Sequence, residues 1–101
     1  METRVVDNVE KSRYEVYEGE ELAGFTLYRR GEGVIAFTHT EIGEAFGGRG
    51  LAGKLARTAL DTARAEGVAV LPYCPFFAGW IAKHPDYADL VPAEKRADFG
   101  L

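Results

Sequence analysis

The chain is expected to adopt an α+β fold in which an antiparallel β-meander runs into a βαβ crossover. Three observations predict it. Alternating, β-branched runs fill the first half, an apolar stripe with helical spacing begins at Leu51, and a short continuous apolar run follows that stripe. With 101 residues, the chain suits one domain built on a single modest core.

The elements follow in order. Residues 12–18 (SRYEVYE) alternate, with Tyr14, Val16 and Glu18 on one face and Arg13, Glu15 and Tyr17 on the other. Residues 22–28 alternate less cleanly, and residues 33–42 are rich in β-branched and aromatic side chains. Gly19-Glu20-Glu21 and Arg29-Arg30-Gly31-Glu32 separate these runs, and short Gly-bearing connections of this kind make hairpins. From Leu51, the positions Leu51, Ala52, Leu55, Ala56, Ala59, Leu60 and Ala63 share one helical face, and Gly67 suits a left-handed helix end. Residues 68–71 (VAVL) read as a buried strand, parallel to residues 33–42 because a helix connects the two. A shorter helix is expected over residues 76–83, between Pro75 and Pro85, with no element assigned beyond Tyr87.

Composition excludes several classes. No apolar run nears the ~18 residues needed to span a bilayer, so no membrane association is expected. The charged start, METRVVDNVEKSRYEV, lacks the apolar stretch of a signal peptide. Cys74 is the only cysteine, which rules out a disulfide framework and four-thiolate zinc. A cytoplasmic location and no metal are therefore expected. The net charge of −4 argues against nucleic acid, whose phosphates need clustered Lys and Arg, and suits a cationic substrate.

Residues 44–54 (EAFGGRGLAGK) carry the chief chemical signal. Gly47, Gly48 and Gly50 fall at the join between a strand and the long helix, where first-turn N–H groups lack internal partners. Such a turn either cradles a phosphate or only needs glycine flexibility. Gly48-x-x-x-x-Gly53-Lys54 has P-loop spacing, but Leu55 stands where Ser or Thr would hold magnesium. Gly48-x-Gly50-x-x-Gly53 spells a dinucleotide fingerprint, yet residues 67–70 offer no acid for a ribose.

Three segments occur in order: Thr38-His39-Thr40-Glu41-Ile42, Phe46-Gly47-Gly48-Arg49-Gly50-Leu51-Ala52, and the run from Cys74-Pro75-Phe76-Phe77 through Trp80 and His84-Pro85 to Tyr87. Together they resemble the small single-domain branch of the GNAT superfamily, the acetyl-CoA-dependent N-acetyltransferases. The resemblance covers roughly residues 5–91. It implies that main-chain amides from Phe46 to Leu51 hold the diphosphate of acetyl-CoA, and that the pantetheine pairs near Glu41 and Ile42 where two strands splay. The implied cofactor contacts are Ile42, Phe46, Gly47, Gly48, Arg49, Gly50, Leu51, Ala52, Cys74 and Phe77. The chain departs from the wider superfamily at Ala45, where Gln or Arg is usual. It also lacks the early helices and last two strands that generally build the acceptor pocket.

Beside a bound thioester, His39 is the candidate base, with Ile35, Phe37 and Glu41 expected on its face; otherwise it is a structural strand histidine. Glu41 would orient the imidazole or attract the amine, or is simply solvated. A strand bulge near Glu41 is expected to aim a main-chain N–H at the thioester oxygen. Cys74 could protonate the departing thiolate, carry the acetyl group, or only pack. Tyr73 and Tyr87 are further candidate acids, and Lys83 and His84 lie within possible reach of cofactor phosphate. The expected function is acetyl transfer from acetyl-CoA to a primary amine of a protein or small molecule, by a monomer or weak homodimer. The alternative is an inactive CoA- or acyl-CoA-binding module or an interaction domain.

Overall fold

The computed structural model describes residues 2–101. Five strands, β1 (Thr3–Asn8), β2 (Arg13–Glu18), β3 (Glu21–Gly31), β4 (Val34–Ile42) and β5 (Ala69–Pro72), form one sheet in sequence order. The first four pair antiparallel, and β5 lies parallel to β4. Helix α1 (Leu51–Glu66) makes the crossover, helix α2 (Pro75–Lys83) follows β5, and 3-10 segments Pro85–Leu90 and Ala93–Phe99 close the chain. The α+β expectation and the parallel pairing hold.

Two details of the meander differ from expectation. β1 has no counterpart in the sequence pattern. It sits at the sheet edge with mostly half-exposed side chains, so TRVVDN lacks a one-sided alternation, though Val5 pairs with Val16. β3 also runs through Gly31, moving the next turn to Glu32-Gly33, where Gly33 adopts φ +69°. A positive φ there suits a two-residue hairpin.

Helix α1 buries Leu51, Leu55, Ala56, Ala59, Leu60 and Ala63 against Tyr14, Val16, Ile35 and Phe37 of the sheet. Each fully buried leucine contributes about 2 kcal/mol. Gly67 ends the helix at φ +71°, its N–H reaching Arg64 O while Val68 N–H reaches Ala63 O. Both helices cover one face of the sheet. The other face is solvated and carries Arg13, Glu15, Tyr17, Phe25, His39 and Glu41.

That outer face still contains one buried charge. Glu15 is 4% exposed and accepts bonds from Arg13 Nε at 2.7 Å, Tyr17 Oη at 2.9 Å and Asn8 Nδ2 at 3.1 Å. Burial alone would raise its pKa, but these hydrogen bonds outweigh it and hold the carboxyl below the ordinary 4.5.

A bulge in β4 decides which residues share a face. Leu27 pairs with His39 and Tyr28 with Phe37, so Thr38 is an extra residue with no partner on β3. A one-residue insertion sends every later side chain to the opposite face. His39 and Glu41 therefore lie on the outer face, not beside Ile35 and Phe37 as unbroken alternation requires. The bulge also falls at Thr38, three residues before Glu41.

β4 and β5 then part. Their last pair is Phe37↔Pro72, after which Cys74 N–H bonds Phe37 O at 2.8 Å and the chain turns into α2. β4 continues to Ile42, so residues 38–42 have no β5 residue beside them.

Candidate functional site

The candidate residues gather at this parting, between the glycine loop and the start of α2. After β4 the chain makes a 3-10 turn, Glu44–Phe46, whose last ring is half-buried against the core. Gly47 stays extended, at φ −63° and ψ 148°. Gly48 and Gly50 take φ +77° and +74°, a region that costs other residues about 1–2 kcal/mol. Neither has a heavy atom within 4 Å of where a Cβ would sit. The requirement for glycine is thus conformational, and the space beside the loop is open.

Gly50 is the N-cap of α1 and offers no side-chain bond to the first turn. Lys54 N–H is bonded to Gly50 O at 3.2 Å, while the donors of Leu51, Ala52 and Gly53 precede the first helical bond. Their free N–H groups and the positive helix end are the kind of donors an anion would need. The Leu51 side chain is buried, so only its main chain faces the loop; Ala52 is half-buried. Arg49 pairs with Glu18 at the end of β2 and lies over the Phe46 ring at 5.6 Å, which ties the loop to the sheet.

Cys74 caps α2 and is 4% exposed. Its Sγ lies 3.1 Å from Thr40 Oγ1, which in turn lies 3.0 Å from Thr26 Oγ1. Thr26 is fully buried and also donates to His39 O at 3.2 Å. In the sequence Thr40 has no role beyond its place in residues 38–42, and nothing points to Thr26; only their β3–β4 register brings them together.

On the opposite face of β4, His39 Nε2 lies 3.2 Å from Glu41 Oε2. The Phe25 ring stands 6.5 Å from the imidazole, and Arg13 covers that ring at 4.6 Å. Glu41 and Ile42 help line a cavity of about 210 Å³, together with Leu22, Ala23, Gly24 and Phe25. Gly24 permits it: a Cβ there would sit 2.4 Å from Glu41 O and 2.5 Å from Ile42 Cδ1.

Other sequence candidates fall elsewhere. Phe77 is fully buried and stacks on Phe37 at 4.3 Å, forming the wall behind the site rather than its surface, against the expected cofactor contact. Tyr87 donates to Asp61 Oδ1 at 2.7 Å; that bond, then burial, raises its pKa and commits its hydroxyl to α1. His84 stacks on Trp80 at 3.8 Å and its Nδ1–H donates to Trp80 O at 2.8 Å. Tyr73 is 58% exposed and meets Phe99 edge-on. Among the described residues, no three His, Cys, Asp or Glu side chains are grouped to hold a metal ion, and no helix is long and apolar enough to cross a membrane.

Comparison with known proteins adds two findings. A family model described as GCN5-related N-acetyl-transferase matches residues 13–90. The fold is similar to the solution NMR structure of a GCN5-like protein from Staphylococcus aureus, with a TM-score of 0.70 and 20% identity. That similarity covers 88% of this chain and 87% of the other. Among curated proteins, none matches the chain.

Proposed function

The chain belongs to the GCN5-related N-acetyltransferase family, an acyltransferase family acting on amines, and from that premise we propose an acetyl-CoA-dependent enzyme that acetylates an exposed primary amine. The carrying observation is the left-handed pair Gly48 and Gly50 ahead of an uncapped helix. Open space beside both glycines and unpaired first-turn donors fit a diphosphate. When bound, acetyl-CoA supplies the acetyl thioester. Main chain from Phe46 to Ala52 would hold its diphosphate, and the β4 edge from Thr38 to Ile42 would receive the pantetheine.

Acid and base stand on opposite faces of β4. His39 Nε2, oriented by Glu41, takes a proton from the incoming ammonium on the outer face. Cys74 Sγ lies on the inner face, suited either to protonate the departing sulfur or to accept the acetyl group. The cavity lined by Glu41 and Gly24 supports an acceptor approach from the outer side, where a carboxylate attracts a cation. With so shallow an acceptor side, a lysine side chain, a protein N-terminus or a small amine all suit the reading. The lone cysteine supports a cytoplasmic protein, which we take to act as a monomer or weak homodimer.

Calorimetric titration with CoA and acetyl-CoA, followed by mass spectrometry of an amine panel, tests this reading. Saturable binding with acetylated product is expected. Binding without product would favour a CoA-sensing module, and no binding would remove the phosphate cradle altogether.

A further inference from the structure

We infer that Thr26 and Thr40 are positioning residues that hold Cys74 as a proton-bearing donor, which assigns it the part of acid rather than acyl carrier. The inference rests on the acetyl-transfer reading for its purpose, but its geometry stands apart. Each hydroxyl has one proton. Thr26 Oγ1 gives its proton to His39 O, a carbonyl that can only accept. The contact between Thr26 and Thr40 at 3.0 Å is then a bond only if Thr40 donates. That leaves Thr40 able only to accept from Cys74, at 3.1 Å. All three contacts are satisfied at once in one direction: Cys74 S–H to Thr40, Thr40 O–H to Thr26, Thr26 O–H to His39 O. Thr26 is fully buried and Cys74 is 4% exposed, so water does not readily reverse the order.

A sulfur that donates into such a chain is held as thiol, whereas an acyl carrier must attack as thiolate. During transfer the amine nitrogen bonds the acetyl carbon and the carbon–sulfur bond of the thioester breaks. The electron pair goes to the departing sulfur, and the Cys74 proton follows it. The nitrogen sheds two protons, the first to His39; one of the two restores Cys74 through solvent and the other is released. The chain also ties the two faces of β4 together, because it ends on the carbonyl of His39 itself.

Thr26→Val keeps the side-chain shape while removing the terminal link, which frees the Thr40 proton to turn toward sulfur. Iodoacetamide should then alkylate Cys74 about tenfold faster at neutral pH than in the wild-type protein, the scale of one hydrogen bond to a charged group. Thr26→Ser should restore the slow rate, which a merely structural defect would not allow. On incubation with acetyl-CoA, the Val variant should gain a Cys74 acetyl adduct that the wild type lacks. In the wild-type protein the single S–H infrared band should lie below that of a thiol with no acceptor. Equal alkylation rates for wild type and Thr26→Val overturn the inference; should that variant fail to fold, an infrared band at the position of a non-donating thiol overturns it. Alkylation and infrared need no CoA, so their failure is separable from a failure to bind or transfer acetyl groups.

Discussion

His39 Nε2 and Glu41 Oε2 meet at 3.2 Å on the outer face of β4, with the imidazole and carboxylate 55% and 60% exposed. A pair this solvated adds little to stability. Its loss is therefore a clean probe of chemistry. His39→Ala should lower kcat about a hundredfold, and Glu41→Gln about tenfold, consistent with general-base catalysis. Calorimetric CoA affinity and the thermal midpoint should be unchanged. A fall in kcat matched by a fall in CoA affinity would instead make the pair part of cofactor binding.

Gly48→Val places a β-branched residue at φ +77° beside the loop. The local strain is about 1–2 kcal/mol, too little to unfold a typical domain. CoA affinity should drop by more than tenfold while circular dichroism stays native. Unchanged affinity would mean that the loop only turns the chain.

Two further glycines should respond in opposite directions. Gly24→Ala forces a Cβ to within 2.4 Å of Glu41 O, main chain that yields poorly, and should cost about 1–3 kcal/mol in urea denaturation. Gly53→Ala sets its Cβ 3.5 Å from Trp80 Nε1, an ordinary contact inside a helix, and should gain about 0.5 kcal/mol. Equal effects at both sites would contradict the close approach of β4 to Gly24.

Glu15 makes the fold sensitive to acid. Burial opposes its charge, but bonds from Arg13, Tyr17 and Asn8 prevail, so its pKa is lower folded than unfolded. A depressed carboxyl contributes stability above its unfolded value and loses it as pH falls toward the folded one. Resistance to chemical denaturation should fall as pH drops below about 4.5. In Glu15→Gln that slope should flatten, and stability at neutral pH should fall by about 2 kcal/mol, since neutral acceptors bond less strongly. An unaltered slope would assign the acid response elsewhere.

Legibility in the sequence tracked how local each signal was. Helix α1 and its end at Gly67 were readable, because an apolar stripe followed by glycine is set by adjacent residues. The parallel pairing of β4 and β5 followed from the helix between them. β1 was hidden, because an edge strand buries too little of either face to impose a pattern. The Thr38 bulge left no mark in a run of β-branched and aromatic residues that reads as strand in either register. The chain linking Thr26, Thr40 and Cys74 spans 14 and 34 positions and emerges only when the sheet assembles.

The unpaired Thr38 has one more implication, for how this protein can change over time. A strand of strict period would present every second side chain to the same surroundings, so tuning a proton acceptor would disturb the proton donor's neighbours. By slipping the phase once, the backbone gives imidazole and thiol separate compartments, wet for one and dry for the other. On the proposed roles, either side chain could change to suit a new recipient amine while its counterpart keeps its own solvent.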